Sequence, residues 1–298
     1  MPSSTPLTIA VVGVGGIGST FAFKLALAGG HNVTVVARPG SSRLDQLRRH
    51  DGIVDIKGER ATVRILDALD EQTPYDLIIV TLLAHQVDAV LPALRRSAAT
   101  SVQFMFNNFD PERLVDAIGA ERCSFGMPFV QAQLDADGKL KATIGAAGQK
   151  TLMGTQRWVD LFGEAGLPAA LERDMALWLR CHVPLCVAFE SVSVAAQKRG
   201  GGAPWREALT LARGVQEGFA LINGLGYPIY PRTKAWLNAL PAWVLAPVLW
   251  FMSRIKSFRE LLATGENECQ ALVDVMLAAT ARSEPQVRSS RIENMRPS

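Results

Sequence analysis

The four cysteines among 298 residues, Cys123, Cys181, Cys186 and Cys269, form no C-x-x-C pair. The four histidines add no Cys/His spacing of the kind that binds zinc. No metal site and no disulfide framework are expected, and reduced thiols point to a cytoplasmic protein. Net charge is +3, with Lys and Arg scattered along the chain. The basic stripe of a nucleic-acid surface is missing. An uninterrupted apolar run of about 20 residues, as a membrane span requires, is missing too. The nearest approach is AWLNALPAWVLAPVLWFM (235–252), broken by Asn238, Pro241 and Pro247. It reads as a core helix pair or an apolar lid over a substrate site, with no membrane span. The leading MPSSTPL has no basic region ahead of the first apolar run, so no signal peptide is expected.

Present instead is ample core material, 48% hydrophobic residues, in a patterned order. TIAVVG (8–13), NVTVVAR (32–38), YDLIIVTLL (75–83) and SVQFMFN (101–107) are short apolar runs of strand length. Helical segments lie between them; in the first, Ile17, Phe21, Leu25 and Ala28 share a face and Gly29-Gly30 ends it. Buried strands alternating with helices predict an α/β fold, a Rossmann-type doubly wound sheet. LDADGKLKATIG (134–145) reads as a hairpin closed at Asp137-Gly138. From about residue 172 the strand signals stop. Helices are expected near 175–198, 204–224, 234–252 and 258–279, an all-helical C-terminal domain. The predicted organisation is 1–167 for the nucleotide-binding domain, 168–280 for a helical substrate and dimerisation domain, and a polar, disordered tail at 281–298.

Gly13-Val14-Gly15-Gly16-Ile17-Gly18 matches G-x-G-x-x-G directly after a buried strand and at the start of a helix. That context makes the motif specific for a dinucleotide. Gly13 permits the turn, Gly15 lets backbone approach a pyrophosphate, and Gly18 lets helix pack on strand. Gly16 and Ile17 complete the loop, whose helix N-terminus offers free N–H groups to phosphate. An NAD site carries an acid at the end of the second strand, about 20 residues on. Here that position is Arg38, followed by Ser41, Ser42 and Arg43. An arginine there suits a 2′-phosphate, so NADP(H) is the expected cofactor.

LWLRCHVPLC (177–186) sets Arg180 and His182 in an apolar helix that also contains Pro184. Arg180 can hold a carboxylate or an oxyanion, but its guanidinium does not give up a proton. His182 titrates near neutrality and would serve as an acid. On a straight helix the two point about 160° apart. Pro184 should bend the helix and bring His182 toward the site. Its stripe with Cys186, Glu190, Ser193 and Gln197 reads equally well as a solvent face.

The glycine loop, the strand ending in Arg38, TLLAHQ (81–86), the strand ending in Asn107 and the helical second half together resemble the ketopantoate reductase (2-dehydropantoate 2-reductase) family. The resemblance implies an NADPH-dependent reduction of a small 2-oxo acid or related carbonyl between a Rossmann domain and a helical domain. It implies a cofactor site at Gly13, Gly15, Gly18, Arg38 and Asn107. The family's cofactor-holding lysine is Leu83 here, and the glycine after its asparagine is Asn108. Its substrate glutamate maps onto Glu266, and its serine falls near Ser253 or Ser257. Its proton-donating lysine, in a W-x-K pattern, is replaced by Arg180, and two asparagines that follow it are Pro184 and Ala188. The expected catalytic set is therefore Arg180, Asn107, Glu266 and His182, with no metal. The partners implied are a small carbonyl substrate and a second copy of the chain, a homodimer. Two other readings are another hydroxyacid or opine-type dehydrogenase and a non-catalytic NADPH-binding sensor.

Overall fold

The computed structural model describes residues 5–262 and 265–297. Residues 1–4 of the polar lead and Ser298 of the tail lie outside them. Two compact units are present: residues up to Phe106 with Glu112–Met175, and Asn107–Pro111 with Ala176 onward. The division falls at 175/176, not at 167/168, and it assigns Asn107–Pro111, beginning with the last residue of the 101–107 strand run, to the second unit.

The first unit begins β1 (Thr8–Val12), α1 (Gly16–Gly29), β2 (Asn32–Val36), α2 (Ser42–His50), β3 (Ile53–Val54), β4 (Arg60–Ala61) and β5 (Arg64–Leu66). It continues with β6 (Leu77–Val80), α3 (Leu91–Arg96), β7 (Val102–Met105), α4 (Pro111–Ile118) and β8 (Cys123–Met127). The hairpin β9 (Val130–Leu134) and β10 (Leu140–Ile144), then β11 (Thr151–Met153), α5 (Gln156–Glu164) and β12 (Ala169–Leu171) complete it. The main sheet has eight strands in the order β12-β11-β8-β7-β6-β1-β2-β5. All its pairings are parallel except β11 with β8. This is the doubly wound sheet that the alternating pattern predicts. β1, β6 and β7 are buried along nearly their whole length, which is why they read as continuous apolar runs. β12 moves the boundary: Ala169–Leu171 pairs with β11 at the sheet edge, too short and too weakly apolar to stand out.

The second unit holds α6 (Met175–Arg199), α7 (Trp205–Gly224), α8 (Arg232–Ala239), α9 (Ala242–Met252), α10 (Lys256–Leu262), α11 (Glu266–Thr280) and α12 (Ser289–Glu293). Helix α6 runs through Pro184, whose ring lies where a Cβ on Gly218 of α7 would stand, 2.8 Å from the proline Cβ. The absent side chain at Gly218 accommodates the proline. By length and composition α6 could cross a membrane, but 78% of that window is buried inside the protein, as in a core helix. The apolar 235–252 segment is two helices bent by 109° at Leu240-Pro241. Proline at 241 cannot donate the helical bond, so one continuous helix over 234–252 does not form. Leu245, Ala246 and Leu249 of α9 are buried, whereas Trp236, Trp243 and Phe251 are about 60% exposed.

The tail corrects another expectation. Residues 281–297 are folded: α12 buries Ile292, Met295 follows it into the core, and Glu217 of α7 accepts bonds from the Arg288 N–H (2.6 Å) and the Arg291 guanidinium (3.0 Å). Ser191 donates to the Met295 carbonyl at 2.6 Å. A Cβ on Gly214 would lie 2.3 Å from Met295 Cγ, so that glycine makes the tail's seat. Two apolar anchors and one buried carboxylate order a segment whose composition is otherwise that of a disordered one. Replacing Met295 by Asp, which strands a charge in this seat, is expected to lower Tm by roughly 5–10 °C. A calorimetric scan with unchanged Tm would show that the tail contributes nothing.

Candidate functional site

Two clusters, one in each unit, carry the candidate chemistry. In the first unit β1 ends in the glycine turn. Gly13 has φ +94°, and a Cβ there would lie 2.8 Å from Leu82 Cδ2. A Cβ on Gly18 would lie 2.1 Å from the Gly13 carbonyl oxygen and 2.5 Å from Thr81 Oγ1. Thr81 donates to that same carbonyl at 2.5 Å. A Cβ on Gly16 would meet the Ala132 carbonyl at 2.4 Å. Only Gly15 has nothing within 4 Å of such a Cβ, and it is the N-cap of α1. The glycines therefore divide their work: Gly16 and Gly18 allow close packing, while Gly13 and Gly15 line an open groove of about 680 Å³. Ile17 is half-buried against the core and does not line it. A backbone cradle at a helix N-terminus, with no acid in the first turn of α1, fits a pyrophosphate.

The groove continues past Arg38, Ser41, Arg43, Asp67, Leu82 and Gln86. Arg38 is exposed, and among the described residues its guanidinium has no hydrogen-bond or ion-pair partner. Two of the other donors expected for a 2′-phosphate, Ser41 and Arg43, are committed elsewhere. Ser41 donates to the Arg38 carbonyl at 2.6 Å and caps α2 by accepting from the Leu44 N–H. Arg43 spends its guanidinium on the Val14 carbonyl (3.0 Å), the Gly138 carbonyl (2.8 Å) and Ser19 Oγ (2.9 Å). Arg43 is thus a clamp joining glycine turn, α1 and hairpin, and burial lowers its pKa to about 10.

In the second unit Arg180 is buried, and its Nε donates to the Phe109 carbonyl at 3.0 Å. Its guanidinium carbon sits 3.9 Å from the centre of the Tyr227 ring, a cation–π contact of about 0.5–2 kcal/mol. Arg180 therefore fixes the 107–111 loop. Asn107 on that loop donates from Nδ2 to Glu268 Oε1 at 3.4 Å, and its buried Oδ1 has no partner among the described residues. Asn108 Oδ1 accepts from the Asp110 N–H at 3.0 Å, while its Nδ2 is also unsatisfied.

The glutamate facing Asn107 is Glu268, not Glu266. Glu266 is half-exposed and paired with Lys198 at 2.8 Å. Helical phase explains the difference. Glu268 stands four residues before the buried Leu272 and eight before Met276, whereas Glu266 lies about 200° round the helix. That phase could have identified Glu268 from the sequence. Glu190 of α6, expected on a stripe that reads as a solvent face, is instead buried. It accepts thiol bonds from Cys186 (3.2 Å) and Cys269 (3.1 Å). Burial and the neighbouring Glu190 push Glu268 up to about 8, and burial pushes Glu190 up as well. Burial also raises the thiols of Cys186 and Cys269, which stay protonated and donate.

His182 does not reach this cluster. Its ring stacks on Trp178 at 4.6 Å between centroids. Lys234, which donates to the Trp178 carbonyl at 3.0 Å and lies 3.9 Å over the Trp178 ring, is the nearby cation. Burial and then Lys234 drive the imidazole down to about 3, so the role of acid expected for it fails. Of the two candidate serines, Ser253 is fully buried and committed, accepting from the Ala203 N–H and donating to the Trp250 carbonyl. Ser257 is exposed on α10. Among the described residues no group of three or more His, Cys, Asp or Glu could hold a metal ion.

Residues 9–156 match the family described as Ketopantoate reductase PanE/ApbA. No curated protein matches the sequence. Similar solved structures include a PanE/ApbA family ketopantoate reductase from Ralstonia eutropha JMP134. It is 14% identical with TM-score 0.73, over 97% of this chain and 96% of that one. D-mandelate dehydrogenase, in a ternary structure with NADH and anilino(oxo)acetate, is 16% identical with TM-score 0.70 over 97% and 96%. The dimeric ketopantoate reductase from Staphylococcus aureus is 14% identical with TM-score 0.66 over 97% and 96%. At these identities the likeness is one of fold.

The depressed His182 gives a direct test. Because its folded pKa lies below the unfolded value, folding loses stability as pH falls from about 6.5 toward about 3. In a ¹H–¹³C spectrum the His182 ring resonances are expected to stay flat between pH 5 and 8. A midpoint inside that range would show that the ring is available as an acid.

Proposed function

We propose that this chain, which through residues 9–156 belongs to the ketopantoate reductase PanE/ApbA family, is an NADPH-dependent reductase of a small 2-oxo acid or related carbonyl. The observation that carries the reading is the glycine turn, where every glycine but Gly15 is closed in by neighbouring atoms and Gly15 opens the helix N-terminus. When bound, a reduced nicotinamide supplies hydride to the carbonyl carbon. Gly13, Gly15 and the first N–H groups of α1 would hold its pyrophosphate. Arg38 would hold the 2′-phosphate, a preference for NADPH over NADH supported by its uncommitted guanidinium at the groove rim.

In the second unit the chain's own groups would bind and orient the substrate. The unpartnered Oδ1 of Asn107 is the atom for a substrate hydroxyl or a carboxamide N–H. Glu268 replaces Glu266 as the acid near the substrate. Arg180 acts through the loop: it fixes Phe109 and so positions Asn107. Four free cysteines support a reducing, cytoplasmic setting. The exposed Trp236, Trp243 and Phe251 supply an apolar face for a homodimer, the assembly named for the S. aureus structure. Wild-type protein is then a dimer by light scattering, and Trp243→Arg shifts it toward monomer; an unchanged dimer would place the interface elsewhere.

The test of function is loss of 340 nm absorbance with NADPH and a panel of aliphatic and aromatic 2-oxo acids. Arg38→Ala is expected to raise KM for NADPH roughly 10- to 100-fold while leaving KM for NADH nearly unchanged. Equal effects on both cofactors would remove the 2′-phosphate role. Tight NADPH binding without turnover of any carbonyl would favour a sensor protein over a reductase.

A further inference from the structure

We infer that Glu190 and Glu268 form a one-proton carboxyl pair in which Glu268 is the general acid of the reduction and Glu190 keeps it protonated. The inference rests on the reductase reading for the word reduction, while the pair itself rests on geometry.

The two carboxyls are unequal in their hydrogen bonds. Both Glu190 oxygens accept from thiols, Oε1 from Cys186 and Oε2 from Cys269. Its Oε2 also lies so close to Gly265 that a Cβ there would stand 2.8 Å from it. Two thiol donors favour the ionised form of Glu190 against the burial that raises it. Glu268 has a single long contact, Asn107 Nδ2 at 3.4 Å, and no cation against it among the described contacts. Glu190, bonded by the thiol of Cys269, lies near enough to Glu268 for its charge to raise that carboxyl. Two buried carboxyls this close do not both ionise, and the one with fewer donors keeps the proton. The raised value of Glu268, about 8, agrees with that assignment.

The groups facing Glu268 are Glu190 and Cys186 from α6, Cys269 from α11 and Asn107 from the loop; those facing Glu190 are Cys186, Cys269 and Glu268. The proton so held has a use. Arg180 is spent on the Phe109 carbonyl and stays protonated, and His182 is neutral and stacked. A carboxylic acid still protonated near neutrality can donate to the carbonyl oxygen as hydride reaches the carbon. The C=O π pair would close onto the Glu268 proton, forming O–H, while a bound reduced nicotinamide would supply the hydride for the C–H bond; Glu268 would be left as a carboxylate. Solvent then returns its proton. The partnerless Oδ1 of Asn107 lies beside the donor, a second buried polar atom that points to a ligand there.

The experiment has two independent readouts. In protein labelled with ¹³C at the glutamate δ-carbon, one resonance is expected to titrate near pH 8 and to vanish in Glu268→Gln. In Glu190→Gln, which removes the like charge, the same midpoint moves down toward the ordinary carboxylate range. Absence of any glutamate midpoint above about 6.5 would end the pair, whatever the enzyme does. For catalysis, kcat should fall on the alkaline side with that midpoint. Its limb should move to lower pH in Glu190→Gln, and Glu268→Gln should lose roughly 10²–10⁴-fold in kcat. An alkaline limb that stays put in Glu190→Gln, with the resonance shifted, would overturn the acid role while leaving the pair. No turnover of any carbonyl, with the resonance in place, would overturn the acid role through failure of the reductase reading.

Discussion

A charge taken out of water must be met by a partner or lost as a change of protonation, and the helical unit is arranged around that demand. Arg180 meets it with the Phe109 carbonyl and the Tyr227 ring, Lys234 with the Trp178 carbonyl and ring. Glu190 meets it with two thiols. Glu268 has too little to meet it with and keeps its proton; His182, buried and stacked on an indole that also carries an ammonium, gives its proton up. The 107–111 loop is held in this network at two points, its Phe109 carbonyl by a cation and its Asn107 amide by an acid. The geometry of Asn107 thus depends on one buried cation and one buried acid.

The sheet and the glycine turn were legible because their determinants are local. A continuous apolar run marks β1, and consecutive backbone contacts set the glycines' spacing. The contact of Gly18 with the Gly13 carbonyl is between residues five apart. Arg38, at the end of β2, was legible for the same reason. Arg43 was not, since its partner is set by folding: Gly138 lies on the hairpin, 95 residues away, while Ser41 bonds three residues to either side as a helix cap. A sequence shows two possible phosphate donors there; the fold makes one a clamp and the other a helix cap.

The helical unit was less legible because its chemistry turns on which side of a helix a residue takes. Glu266 and Glu268 differ by two positions and by most of a half-turn, and only the second shares the face of Leu272 and Met276. The stripe His182, Cys186 and Glu190 was polar enough to read as wet, yet Glu190 is buried because α11 brings Cys269 to it. The tail misled for a related reason. Its composition is that of a solvated segment, but the vacancy at Gly214 and the carboxylate of Glu217 sit on α7, where nothing in the tail itself records them.

If Arg180 stands where the resemblance places a lysine, its guanidinium has a consequence beyond the lost proton. A flexible ammonium can bind and donate, whereas a planar guanidinium that never deprotonates is better suited to hold a backbone carbonyl. The same substitution that removes one acid therefore strengthens the hold on the loop carrying Asn107. What remains near that amide is a neutral carboxylic acid beside an ionised one. On the reading proposed above, Glu268 would meet the substrate carbonyl, and Asn107 Oδ1, which has no partner among the described residues, would accept from a neighbouring hydroxyl or amine.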